Sequence, residues 1–470
     1  QIQLVNPVEL LHGGNQGEKE PKSRWLLVIV GVAALGNGYW IALTTEAPLE
    51  ALLKFFVAVV CVIIGTYALF IAGSIVVLKI LRKNKFYYYN PKHFTSVSGM
   101  LYRMKQNGAG LANICVLSTM VLVMVSTTVS LYAGMEDILD SRFPREVSIV
   151  CNGADTNTKE TLDRLIKEQC EKAGVKVTDR VRYRYGSMTA VMKEGKLEEI
   201  GQYYPDKDFY YVEMIPLEEY NRIEKQNVSL KEQEILTYTT NGKCGEKQIN
   251  IAGKTYQVKK ELSDMASQPK KTAEMYKTLY IVFAKADQVE NIQPFSYADK
   301  FNLKGENGQQ RKALERMQKE FYEKIPDGTM ESRMLSRASF YELYGGLFFI
   351  GIYLGSMFIM ATVLIIYYKQ ISEGYDDRER YQIMQKVGMS KKEVKRSIRS
   401  QVLSVFFLPL VVAVIHVAVA FKVMTKILGV LNLTNVSLFA VCTIITIAVF
   451  AVFYIIVYSI TAKEYYRIVN

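Results

Sequence analysis

Six apolar runs divide this chain, three on each side of the 209 residues Gly134–Glu342, which have the composition of a soluble domain. The runs lie at Trp25–Leu43, Phe55–Leu78, Ala109–Tyr132, Leu343–Tyr368, Val402–Phe421 and Val436–Tyr458. A helix needs about 20 mostly apolar residues to cross a bilayer. None of the six runs holds Asp, Glu, Lys or Arg, which are costly at the bilayer centre. The expected fold class is a membrane all-α arrangement of six transmembrane helices, with a large extracellular α+β domain inserted between the third and fourth. The expected divisions are 1–133, 134–342 and 343–470. The first run is too long for a cleavable signal peptide and leads into further spans. The chain opens on Gln1 rather than Met, so the expectation is that residues, and further spans with them, precede it.

Basic residues set the orientation of such a chain. The loop Lys79–Asn107 carries Lys79, Arg82, Lys83, Lys85, Lys92, Arg103 and Lys105 and no acid, and Lys369–Gln401 carries nine Lys or Arg against five acids. Both loops are expected in the cytoplasm together with both chain ends, which places Gly134–Glu342 outside. That segment holds 34 basic and 35 acidic residues, so the net charge of +12 arises in the loops and ends. Such a charge serves topology and contact with anionic membrane lipid, not nucleic-acid binding. Phe86, Tyr87, Tyr88, Tyr89 and Phe94 add aromatics to the first basic loop, which favours the membrane interface and an amphipathic helix ahead of the third span.

The outside segment mixes two periodicities. Glu146–Cys151, Lys176–Val191, Phe209–Ile215 and Thr278–Ala284 read as strands, and Lys247–Lys260 reads as a hairpin turning at Gly253–Lys254. Thr156–Ala173, Pro216–Glu224 and Gly308–Lys324 read as helices, with Leu314, Met317 and Phe321 along one face of the last. Three cysteines, Cys151, Cys170 and Cys244, lie there without a CxxC, so one disulfide or free thiols are both open. The only histidines are His12, His93 and His416. A zinc site or a histidine-based hydrolase outside is therefore not expected, and no catalytic or metal-ligating set is assigned. No GxxxxGK[ST] loop occurs, so energy for any uphill step must come from a partner chain.

The second cytoplasmic loop holds SEGYDDRERYQIMQKVGMSKKEVKRSIRSQ, Ser372–Gln401. A helix is expected from near Glu373 to Lys386, lying across the exit of the fourth span, with Gly388 as its C-terminal stop. Ser390 with Glu393 makes a capping box for a second helix that runs into the fifth span. On charge alone this is a solvated basic loop, but the capped helix-turn-helix layout favours a docking element. In that reading Glu373, Asp376, Asp377 and Glu379 face a partner together with Arg378 and Arg380, while Tyr381, Met384 and Val387 supply an apolar contact. Within the spans, Gly351 and Gly355 form a GxxxG that permits close helix approach. Pro409 is expected to kink the fifth span. His416 is either a functional intramembrane group or a neutral, hydrogen-bonded one.

Two long stretches carry a resemblance. Asn90–Glu146, NPKHFTSVSGMLYRMKQNGAGLANICVLSTMVLVMVSTTVSLYAGMEDILDSRFPRE, resembles the FtsX-like permease family, with particular likeness to BceB-like bacitracin-resistance permeases. Tyr367–Val394 is similar to the second cytoplasmic coupling region of that group. The resemblance implies a ten-span permease whose large outside domain follows the seventh span, so this chain would lack the first four. It further implies a separate cytoplasmic ABC ATPase dimer that carries the ATP and Mg, leaving this chain without a cofactor and not itself an enzyme. Implied partners are a peptide antibiotic or its cell-wall lipid carrier and a sensor histidine kinase. Two alternatives stand beside peptide removal or export: a mechanotransmitter that controls an extracytoplasmic partner without moving solute, and a sensing platform for the kinase.

Overall fold

Lipid offers no partner to a backbone N–H or C=O, so apolar runs of this length fold as helices that satisfy their own backbone. The computed structural model describes residues 24–46, 48–88, 91–153, 156–201, 209–240, 242–265, 277–386 and 390–469. The chain begins with α1 (Trp25–Thr44), α2 (Pro48–Ala68), a π-helical turn (Leu69–Gly73), α3 (Ser74–Lys83), α4 (Lys85–Tyr88), α5 (Pro91–Ala133) and α6 (Met135–Arg142). It continues through β1 (Val147–Asn152), α7 (Thr156–Ala173), β2 (Lys176–Lys193), β3 (Lys196–Glu199), β4 (Phe209–Pro216) and α8 (Leu217–Glu224). Next come β5 (Glu234–Thr239), β6 (Gln248–Ile251), β7 (Lys254–Glu261), β8 (Lys277–Phe283), α9 (Ala286–Glu290), β9 (Ser296–Lys304), α10 (Asn307–Lys324) and β10 (Gly328–Ser332). Three long helices close it: α11 (Arg333–Lys386), α12 (Lys391–Val430) and α13 (Val436–Val469). Among the described residues six helices are long and apolar enough to cross a membrane, and in chain order every strand falls between the third and the fourth.

The sheet-rich domain is organised by β2. Its first half pairs with β9 and its second half with β4 and β3. The strand order β10-β1-β9-β2-β3-β6-β7-β5-β8-β4, with β4 returning to β2, makes an open four-stranded sheet and a closed ring of seven strands that share β2. Closure leaves the ring without a free edge for a foreign strand. The handover falls at Gly186, where an added Cβ would lie 2.9 Å from Val289 Cγ1 of α9. A glycine there lets α9 approach. Along β8, Leu279, Ile281 and Phe283 join one buried cluster while Tyr280 and Val282 join another, so the two-residue period buries both faces. Helices α7 and α10 cover the open sheet, setting Leu162, Leu165 and Ile166 and then Leu314, Met317 and Phe321 against Val147, Ile149 and Phe301. The β6–β7 hairpin turns at Ala252–Gly253, both at positive φ, one residue earlier than expected.

Strand β9 has no apolar alternation in its centre, yet it lies inside the open sheet, between β1 and the shared strand β2. Its Asp299 is 0% exposed and accepts hydrogen bonds from Arg180 of β2, at 2.9 Å from Nε to Oδ1 and 2.5 Å from Nη2 to Oδ2. Arg180 also donates to Asp163 of α7. Burial pushes the Asp299 carboxyl above its usual range and Arg180 pulls it back. The cysteines on this side, Cys151 and Cys170, are buried and free, and burial pushes both thiols up to about 11. They are packing groups.

Removing one member of a buried pair leaves an uncompensated charge, at a cost of about 3–5 kcal/mol. Arg180→Met is therefore expected to weaken hydrogen-exchange protection of the β9 and β2 amides by about that amount at pH 7. Arg182→Ala, which breaks an exposed contact to Asp163 and removes a charge that helps hold Asp299 without bonding to it, should cost less than Arg180→Met, about 1 kcal/mol. In Arg180→Met the pKa of Asp299 is raised further in the folded state. Such a carboxyl destabilises the fold as pH rises past its unfolded value, so the deficit should shrink toward acid pH.

A candidate coupling path along two helices

Helices α5 and α11 enter and leave the sheet-rich domain, and three sets of contacts hold them together. The first is at the base of the domain. Glu136 of α6 accepts from Tyr341 Oη at 2.9 Å, Arg337 Nη2 at 2.6 Å and Arg333 Nη2 at 3.2 Å, all on α11. Arg333 also pairs with Asp140 at 2.6 Å. The hydrogen bond from Tyr341, with the charges of Arg337 and Arg333, holds the Glu136 carboxyl below the usual range. Beside this cluster, Glu146 Oε1 accepts from the Met334 N–H at 2.8 Å and from Ser332 Oγ at 3.1 Å. A carboxylate thus satisfies an orphan donor at the start of α11, where the helix dipole favours negative charge. Since β1 and β10 pair from Val147 and Ser332 onward, the strands and the helices that continue from them form one unit. Asn435, at the turn before α13, donates to Asp137 at 2.7 Å and ties a third helix to the cluster.

The second set lies within the apolar stretch. A Cβ built on Gly351 would sit 2.3 Å from Thr128 Oγ1, and one on Gly355 would sit 2.9 Å from Val125 Cγ2. The two glycines therefore face α5 at van der Waals distance. Tyr132 stacks on Phe348 one turn nearer the domain, with ring centroids 4.8 Å apart. Lower on α5, Gly108 lies against the π-helical turn, its added Cβ 2.8 Å from the Phe70 carbonyl oxygen.

The third set is at the far end. Lys369, Glu373 and Asp377 are spaced by four and share one face of α11. Glu373 accepts from Asn107 Nδ2 of α5 and lies 4.0 Å from Lys369 Nζ. Asp377 is 5% exposed and accepts from Tyr465 Oη of α13 at 2.6 Å. Gln370, beside Lys369 on the same helix, is buried as well. Two of the four acids expected to face a partner, Glu373 and Asp377, are thus turned into the bundle, because α5 and α13 offer them donors. The expected short helix across the exit of the span is likewise replaced. α11 runs unbroken for 54 residues, which at 1.5 Å per residue is about 80 Å, far more than the bilayer core. Asp376, Glu379, Arg380, Tyr381 and Met384 lie on its last turns, where only the backbone is described, and Val387 and Gly388 fall outside the described residues. Ser390 directly precedes α12, which continues past Pro409 without a break in the helix. The outward side chains described on the last turns of α11 are Tyr375, Arg378, Gln382, Ile383 and Lys386. Sequence reasoning missed Tyr375 and Ile383 as exposed apolar side chains and did not find Glu136, Asn107 or Tyr465. The only sequence signal was polar residues at the ends of apolar helices.

No protein-family model matches the chain. Its homologues are ABC transporter permeases. The ABC transporter permease protein YxdM of Bacillus subtilis (strain 168) is 26% identical over 449 residues, covering 91% of this chain and 67% of the relative. The uncharacterized ABC transporter permease YvcS of the same organism is 21% identical over 448 residues, with the same two coverages. The bacitracin export permease protein BceB, also from that organism, is 33% identical over 85 residues, 18% of this chain and 13% of the relative.

Overpacking a tight contact costs about 1–3 kcal/mol. Gly351→Val should lower the melting temperature of the purified protein in detergent, and Thr128→Ala should recover part of the loss. Gly346→Val, with nothing within 4 Å of its added Cβ, should leave it unchanged. Tyr465→Phe removes the donor to a buried carboxylate, a loss of about 1–3 kcal/mol, and should destabilise the lower ends of α11 and α13 in hydrogen exchange.

Proposed function

We propose that this chain is the membrane subunit of an ABC transporter. A separate cytoplasmic ATPase dimer, carrying the ATP and Mg, presses on the end of α11, and the paired α5 and α11 carry the displacement to the sheet-rich domain outside the cell. The observation that carries this reading is the continuity of the pair, pinned at the domain base by Glu136 and Glu146, in the middle by Gly351 and Gly355, and at the cytoplasmic end by Asn107 and Glu373. Tyr375 and Ile383, with Tyr381, Met384 and Val387, supply the apolar contact for the ATPase. Arg378, Arg380, Lys386, Asp376 and Glu379 form its charged rim, and rim charges contribute less than buried anchors.

The substrate in this proposal is an antimicrobial peptide that acts on the cell-wall lipid cycle, engaged at the outer face and detached from its lipid carrier. Local similarity to a bacitracin export permease supports that class. Release at the outer face is favoured over passage through the spans. Among the described residues, the buried Ser126, Ser130, Thr362 and Thr443 turn their hydroxyls onto their own helices. A second reading, a mechanotransmitter that controls an outside partner without moving solute, rests on the same rigid connection. A sensor histidine kinase would read the state of the same pair.

The test is charge reversal at the domain base in cells that carry the complete transporter. Glu136→Arg should abolish peptide resistance while the amount of copurified ATPase stays normal, and Glu136→Arg with Arg337→Glu should restore resistance in part. Equal loss of resistance and of ATPase association in the single variant would contradict the proposed path. Orientation is checked by impermeant thiol labelling in whole cells, in a background without reactive native cysteines. Lys243→Cys should react and Ser372→Cys should not.

A further inference from the structure

Between α1, α2, α5, α11 and α12 lies a cavity of about 310 Å³, in the half of the bundle nearer the sheet-rich domain. The coupling path does not use it. Its walls are Ala42, Ala58, Val59, Val62, Val116 and Ala420 with their neighbours, nearly all apolar. One polar chain crosses it. Thr66 Oγ1 donates to the Val62 carbonyl at 2.6 Å, so its single proton is used. Toward His416 Nε2, 3.1 Å away, Thr66 can therefore only accept, which puts the ring proton on Nε2. Nδ1 is then the acceptor for Tyr39 Oη at 2.7 Å. The remaining hydroxyl of the wall, on Thr119, donates to the Cys115 carbonyl at 2.9 Å. With Tyr39 as donor to Nδ1, His416 carries a single ring proton; it is 5% exposed and bonded at both nitrogens. Every donor of this set is used within the protein, so the cavity has no donor with which to select a polar guest.

Two further observations identify the guest. Met120 lines the cavity, is 36% exposed and stands midway along the apolar span Asn107–Ala133, so an opening beside it lies at the depth of the bilayer rather than of water. On α12, Lys422 and Lys426 each stand three residues beyond a wall residue, Val419 and Val423; Lys422 Nζ donates to the Leu43 carbonyl at 2.7 Å, which fixes it at the end of α1 and leaves two of its three protons for a phosphate. Both lysines lie one turn nearer the end of the helix, where a lipid phosphate sits when its tail is within. With about 30 Å³ of liquid volume per water, the cavity accepts roughly ten carbon-sized groups, the length of an acyl chain segment. We propose that this cavity is a binding site for one acyl chain of a bilayer phospholipid, entering past Met120 with its phosphate held by Lys422 and Lys426.

The test places the whole protein in nanodiscs that contain phosphatidylglycerol with a diazirine near the end of one acyl chain. After illumination, labelled residues are mapped by mass spectrometry. Labelling is expected at Val62, Val116 and Ala420 as well as at Ile444 and Val449, which are 65% and 64% exposed on the apolar span Val436–Val469. Ala420→Phe, which fills the space, should remove the cavity labels at least tenfold and leave Ile444 and Val449 unchanged. Lys422→Gln with Lys426→Gln should lower them severalfold. Labels confined to Ile444 and Val449 in the unaltered protein would overturn the proposal, whatever the variants do. So would cavity labels that persist in a folded Ala420→Phe protein.

Discussion

The close approach of α5 and α11 is the contact on which the other parts depend. In lipid there is no hydrophobic drive to bring two apolar helices together, so association rests on packing and on interhelical hydrogen bonds, and small residues at the interface permit both. Gly351 and Gly355 set the separation by having no side chain where Thr128 and Val125 lie. That separation in turn sets the positions of β10, which runs directly into α11, and of β1, which follows α5 through α6, and the two strands pair with each other. It also decides whether Asn107 reaches Glu373 at the opposite end.

The two ends of the pair are built differently, and the difference follows from their surroundings. At the domain base the charges are exposed, so each ion pair on Glu136 contributes little to stability by itself. What the cluster supplies is direction, since Arg333, Arg337 and Tyr341 converge on one carboxylate and fix the angle at which α6 meets α11. At the other end Asp377 is buried and Glu373 is mostly so, its side chain 12% exposed, and there an acid without a donor would be costly. Each is satisfied by a different helix, α5 through Asn107 and α13 through Tyr465. A displacement of the end of α11 must therefore move both neighbours or break a buried hydrogen bond.

The spans were legible because the bilayer imposes a length and an apolar composition that few other structures share, and six long apolar helices stand where six runs lie. Helices α7 and α10 were legible from their apolar faces, and β2 from its alternating Val and Tyr. Strand β9 was not, because Asp299 is buried by virtue of Arg180, more than a hundred residues away, and no local pattern reports that partner. The closed ring was not legible either, since it depends on β4 returning to β2 and on three parallel pairings between distant segments. On α11, the onset of charge at Lys369 read as the end of the span and the start of a separate lateral helix. The helix instead continues, because its acids have donors on α5 and α13. The side of the membrane and the partners of the last turns of α11 depend on molecules outside this chain, and its residues carry them only as charge bias and resemblance.

The central claim is that α5 and α11 move as one body. It is tested most directly by locking them together with a disulfide between Val125→Cys and Gly355→Cys, where a Cβ added at Gly355 would lie 2.9 Å from Val125 Cγ2. The doubly substituted transporter is otherwise free of reactive cysteine, and peptide resistance and ATP-driven change in the sheet-rich domain are followed before and after oxidation. The account predicts that both persist with the bond formed, because the two helices do not slide past each other. Loss of both on oxidation, with recovery on reduction, would show that the helices must separate or shear and would contradict the account.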